Sequence, residues 1–147
     1  MTDKKKAGGL AGVTAGETAI ATVGKEGAGL TYRGYDIDDL AENARFEEVA
    51  FLLHYGHLPS AAELDGYVDR LRGMRGLPAD LRDVLEKIPA DAHPMDVLRT
   101  GCSFLGNIEP EEDFNRQRDV ADRLLASFPS MLLYWHRFHT DGKRIDT

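Results

Sequence analysis

Val120-Ala121-Asp122-Arg123-Leu124-Leu125-Ala126-Ser127-Phe128-Pro129-Ser130-Met131-Leu132-Leu133-Tyr134-Trp135-His136-Arg137-Phe138 is the stretch on which the fold turns. Val120, Ala121, Leu124, Leu125, Phe128, Met131, Leu132, Trp135 and Phe138 recur at intervals of three and four, the period at which side chains share one face of an α-helix. Pro129 lies inside the pattern and is expected to bend it, because its ring removes a ladder amide. From Phe128 to Phe138 the helix is apolar on more than one face, which in a water-soluble chain implies burial on several sides.

Working outward, the same texture recurs. Pro94, Met95, Val97, Leu98 and Cys102 predict a helix running to about Leu105. Pro78 fits the first position of another, carrying Leu81, Val84, Leu85 and Ile88 and ending at Pro89. Ser60-Ala61-Ala62-Glu63 has the spacing of a capping box, and Ala61, Leu64, Val68 and Leu71 then fall on one face until Gly73 and Gly76 interrupt. Further back, Phe46, Val49, Ala50 and Leu53 form a stripe that stops at Gly56, and Asp36 is placed to cap the turn from Ile37 to Ala41. Only 18–32 reads as extended, a short β-hairpin whose loop from Gly24 to Gly29 contains three glycines. The predicted fold class is therefore mainly α, a short N-terminal β-hairpin followed by five or six helices, with 1–15 a flexible arm and 16–147 one incomplete domain. The end, from Thr140 to Thr147, reads as a turn and a connector, the expectation being that this is part of a longer protein.

Composition narrows the classes. The chain has 147 residues, 42% hydrophobic and 29% charged, enough to bury roughly two thirds of the surface its unfolded form exposes. A net charge of −7 argues against nucleic-acid binding, and no apolar run is long enough to span a membrane. Cys102 is the single cysteine, so neither an intrachain disulfide nor a multi-Cys metal site is expected. Cytoplasmic residence is the expectation, since no signal or transit pattern opens the chain.

Each candidate for chemistry has a structural alternative. His54 and His57, like His136 and His139, are three apart, but neither pair is accompanied by HExxH or CxxC to complete a zinc site. His93, before Pro94, reads as a structural residue at a helix start, and Cys102 as a small core residue. Asp36, Asp38 and Asp39 lack the Gly that a calcium loop needs at its sixth position, where Ala41 stands, so helix capping explains them better. The Gly-rich loop has no dinucleotide or P-loop pattern. Arg33, Arg70, Arg72 and Arg75 have the chemistry to bind carboxylates or phosphates, with surface ion pairing as the plainer reading.

Tyr32-Arg33-Gly34-Tyr35-Asp36-Ile37, then Phe46-Glu47-Glu48-Val49-Ala50, Gly56-His57-Leu58-Pro59, His93-Pro94-Met95-Asp96-Val97-Leu98-Arg99-Thr100-Gly101 and Leu124 to Trp135 together resemble the opening of the citrate synthase family. The leader Gly9 to Val13 and the run from His93 to Gly101 are most similar to the bacterial 2-methylcitrate synthase branch. The resemblance implies a large helical domain and a condensation of propionyl-CoA, or acetyl-CoA, with oxaloacetate. It implies no cofactor, the CoA thioester being a substrate, and acid–base catalysis by two His and one Asp. The family motifs carrying those groups, of the GxxHGGAN and GFGHxVY kind, have no match in these residues, so it assigns no catalytic residue here and no metal ligand. It further implies a homodimer built on the two long helices, with Met95, Leu98, Leu125, Phe128, Met131, Leu132 and Trp135 at the interface, and one substrate contact, Arg70.

Two other classes compete. One is a stand-alone helical module binding a partner through the Trp135 face; the other is a His-based metal-binding bundle.

Overall fold

A computed structural model describes residues 13–14, 16–24 and 29–147. The expected arm, except for Val13 and Thr14, and the centre of the Gly-rich loop, 25–28, lie outside the described residues. The chain divides into two compact units, 1–58 and 59–147.

The first unit contains the predicted hairpin and one strand more. β1 (Ala21–Thr22), β2 (Thr31–Tyr32) and β3 (Tyr35–Asp36) form an antiparallel sheet in that order, with Ala21 opposite Tyr32 and Tyr32 opposite Tyr35. The second connection has only two residues, Arg33 at φ 51° and Gly34 at φ 90°. Positive φ at both central positions is the arrangement whose twist matches the strands it joins. Arg33 carries the cost of that conformation as a non-glycine residue and is held by its amide to the Ile20 carbonyl at 2.8 Å and by Nη2 to the Leu53 carbonyl at 3.0 Å. α1 (Ile37–Asn43) begins where expected, the Asp36 carboxylate accepting from the Asp38 amide at 2.8 Å. α2 (Phe46–Tyr55) ends at Gly56 in the left-handed region, φ 91°. The stripe of α2 needs correction: Ala50, Phe51 and Leu52 are the buried residues, whereas Phe46, at the open first turn, is 66% exposed.

In the second unit four helices follow: α3 (Ala61–Gly73), α4 (Ala79–Lys87), α5 (Pro94–Ile108) and, after a turn of 3₁₀ helix, α6 (Gln117–Asp141). Ser60 caps α3 as a full box, its hydroxyl meeting the Glu63 amide and its own amide donating to the Glu63 carboxylate at 2.8 Å. Pro78 is the N-cap of α4 rather than its first residue, and α5 continues about one turn beyond Leu105. α6 has 25 residues and runs unbroken through Pro129; at 1.5 Å per residue it is about 37 Å long. It packs against α3, α4 and α5.

The core of this unit is Leu77, Leu81, Leu85, Val97, Leu105, Met131, Tyr134 and Trp135. Tyr67 joins Leu71 as a buried residue of α3, in place of Ala61, which is exposed. α5 and α6 pack tightly at Gly101, where an added Cβ would stand 2.9 Å from Met131 Sδ. The absence of a side chain there lets a long thioether lie across the partner helix. The multi-sided burial expected of α6 is seen at Ala126, Ser127, Ser130, Met131, Tyr134 and Trp135, while Leu133 remains 54% exposed.

Candidate functional site

Three clusters of charged side chains tie the elements of the second unit together. On the α3–α6 seam, Asp122 is fully enclosed, with 0% of its side chain exposed. Its Oδ1 accepts from the Tyr67 hydroxyl at 2.9 Å and its Oδ2 from Arg70 Nε at 3.0 Å. Arg70 Nη2 also donates to Asp119 at 2.7 Å, and Asp119 accepts from Arg116 Nε at 3.2 Å. The Asp122 carboxylate, with a smaller contribution from Asp119, raises the Arg70 guanidinium above its ordinary value. Arg116 and then Arg70 lower Asp119. A buried carboxylate with a cation and a hydroxyl on its two oxygens is an arrangement that fixes two helices.

At the α5–α6 end is a groove of about 550 Å³, floored by Leu105, Val120 and Leu124 and edged by Glu109, Arg116, Asp119 and Arg123. Arg123 spans it, meeting both Glu109 oxygens at 2.9 Å and the carbonyls of Met74 and Gly76. It fastens the end of α5 and the α3–α4 loop to α6. Cys102 lines this groove and is half-buried, rather than enclosed in the core as expected.

A third cluster lies on α4. Glu86 accepts from the Tyr134 hydroxyl at 2.6 Å and, through both oxygens, from Arg144 Nε at 2.7 Å and Nη2 at 2.8 Å. Arg144, then Tyr134, hold the Glu86 carboxyl at about 2. Burial, and after it the Glu86 carboxylate, push the Tyr134 phenol up.

The residues singled out from sequence are thus set to structural tasks. Arg70, expected as a substrate contact, donates from Nε to Asp122 and from Nη2 to Asp119, with its side chain 37% exposed. Arg72 pairs with Asp69 and Arg33 reaches Leu53. His93 caps α5, Nδ1 accepting from the Met95 amide at 3.2 Å. His57 stands edge-on to Phe51, and His139 packs beside Trp135 and Phe138. Among the described residues no three His, Cys, Asp or Glu side chains converge as a metal would need. No helix among them is long and apolar enough to cross a membrane.

Of the seven residues expected at a dimer interface, Met131 is 0% and Trp135 5% exposed, both within the core of their own unit. Leu98, Leu125, Phe128 and Leu132 are half-buried, and Met95 is 64% exposed. Sequence reasoning missed Tyr67, Asp122, Glu86 and Arg144. For Asp122 there was a signal, a carboxylate four residues before Ala126 on the face that α6 buries. For Glu86 and Arg144, 58 residues apart, there was none.

The fold is a mainly helical scaffold tied by these seams, and comparison supplies the family. The model of the citrate synthase family described as "Citrate synthase, C-terminal domain" matches residues 9–147, and the chain belongs to that family. It is 64% identical to the 2-methylcitrate synthase of Shewanella oneidensis over 149 aligned positions, covering 100% of this chain and 40% of that enzyme. Among solved structures, citrate synthase from Thermotoga maritima aligns with a TM-score of 0.79 at 33% identity, over 95% of this chain and 36% of the other. Citrate synthase from Thermoplasma acidophilum, solved as a ternary complex with carboxymethyl coenzyme A and oxaloacetate, shares the fold with a TM-score of 0.75 at 22% identity, over 87% and 34%. The chain therefore spans well under half the length of the relatives it matches.

Proposed function

We propose that these 147 residues are the N-terminal scaffold and assembly portion of an acyl-CoA:oxaloacetate C-acyltransferase, of the 2-methylcitrate synthase kind. The observation that carries this reading is the 64% identity to the Shewanella oneidensis 2-methylcitrate synthase along the whole chain. The N-terminal placement is supported by the order of the motifs from Tyr32 to Trp135, which follows the family's opening. In the proposed reaction the carbon beside the propionyl thioester loses a proton and attacks the oxaloacetate ketone. Water then cleaves the thioester, giving 2-methylcitrate and CoA; acetyl-CoA would give citrate in the same way. The groups that move those protons lie outside this chain, and no cofactor is involved beyond CoA as substrate and product.

This portion's contribution is rigidity and assembly. Its ion pairs tie the elements of the second unit together, at Arg70–Asp122, Arg123–Glu109 and Glu86–Arg144, with Asp122 fully buried. Homodimerisation is assigned to the outer faces of α5 and α6, where Met95, Leu98, Leu125, Phe128 and Leu132 retain surface. A cytoplasmic enzyme of propionate breakdown is the setting this implies. The reading is tested by assaying these residues alone for CoA release from oxaloacetate with propionyl-CoA or acetyl-CoA. None is expected, and turnover would overturn the division of labour.

A further inference from the structure

The segment that sequence alone leaves as a bare connector is built into the fold. α6 ends at Gly142, φ 64°, whose amide donates to the Phe138 carbonyl at 3.0 Å, and the chain then reverses. Arg144 next meets Glu86 near the end of α4, and its guanidinium carbon lies 6.0 Å from the Phe138 ring centre. Ile145 packs against the core cluster. Thr147 Oγ1 accepts from the Leu77 amide at 3.1 Å, just before the start of α4. Three residues of extended chain cover about 10 Å, and the nine residues of α4 rise about 13 Å, so the two attachments are comparable to the length of α4.

We infer that residues 142–147 form a strap lying along α4 that seats and lifts as one unit, with Glu86 as its clasp and Ile145 as the plug it withdraws from the core. Three features favour a single cooperative segment over a loosely attached tail. The clasp is bidentate, with the Glu86 side chain 13% exposed and that of Arg144 69% exposed, and two parallel charge-assisted bonds fix its geometry as one bond would not. Tyr134, itself 1% exposed, orients that carboxylate from inside the core. The remaining attachments, Ile145 and Thr147, follow within three residues, too short a length to stay seated while Arg144 swings away. Seated, the strap covers core surface beside Ile145.

The test is hydrogen exchange in the intact protein, read at the Leu77 amide, which is bonded to the far end of the strap. Arg144→Gln breaks the clasp at a side chain 69% exposed, so folding is not at stake. The expected result is faster exchange at Leu77 by roughly tenfold or more, the scale set by losing a charge-assisted hydrogen bond in a local opening, with Leu81 and Leu85 unchanged. Thr147→Val should accelerate Leu77 without disturbing exchange elsewhere in α4, identifying that amide as the strap's reporter. Unchanged exchange at Leu77 in Arg144→Gln would overturn the proposal, as would equal acceleration at Leu77, Leu81 and Leu85, the mark of general loosening.

Discussion

Asp122 has lost all contact with water yet keeps two partners, Tyr67 and Arg70. Removing the carboxylate takes an acceptor from the Tyr67 hydroxyl and from Arg70 Nε, although Arg70 Nη2 keeps Asp119, and the loss at the charged group is the more costly. Asp122→Ala is therefore expected to destabilise the fold by about 3 kcal/mol, whereas Tyr67→Phe, which deletes one neutral donor, should cost about 1 kcal/mol. Chemical denaturation of the two variants checks the order. Glu86 gives a pH signature. Its ordinary value is 4.5 and Arg144 with Tyr134 hold it at about 2 in the folded chain. A carboxyl lowered on folding stabilises the folded state above its unfolded value, and that contribution disappears as the pH falls through the folded value. The stability gap between wild type and Glu86→Gln should be full at neutral pH and close between pH 4.5 and about 2. A gap independent of pH would show that the carboxylate charge plays no part.

At the scale of elements, Gly101 is the point where α5 and α6 are most sensitive. Alanine is the better helix former, but its Cβ would meet Met131 Sδ at 2.9 Å in a site with no exposure. Overpacking should win, and Gly101→Ala is expected to lower stability by about 1–2 kcal/mol despite the gain in propensity. The element boundaries were legible from sequence wherever the signal is local: the Ser60 box, the Asp36 cap, the Gly56 stop and the long pattern of α6. What was not legible is set by contacts distant in sequence or by backbone. The third strand has two residues and depends on Arg33 adopting positive φ, which no apolar pattern announces. Phe46 has the right spacing for the α2 stripe but falls at an open helix end. The ion pairs of Arg70 were not legible because its partners are 49 and 52 residues away.

For the whole molecule, Met131 and Trp135 of α6 complete the core of their own unit, whereas Met95 and Leu98 of α5 and Leu125, Phe128 and Leu132 of α6 keep exposed surface, on which the proposed self-association would rest. Met95→Asp is accordingly expected to weaken self-association in sedimentation while changing the stability of the single fold by less than about 0.5 kcal/mol, as surface substitutions do. A loss of fold instead would place Met95 in a core. The family was legible in sequence through ordered motifs along nearly the whole chain; a catalytic site was not, since no local pattern of acid–base groups is present. The central claim is that this chain supplies the framework on which the rest of a synthase works. It is tested most directly by replacing the matching stretch of the Shewanella oneidensis enzyme with these 147 residues and measuring CoA release from propionyl-CoA and oxaloacetate. The chimera is predicted to turn over; a folded, dimeric chimera that releases no CoA would contradict it.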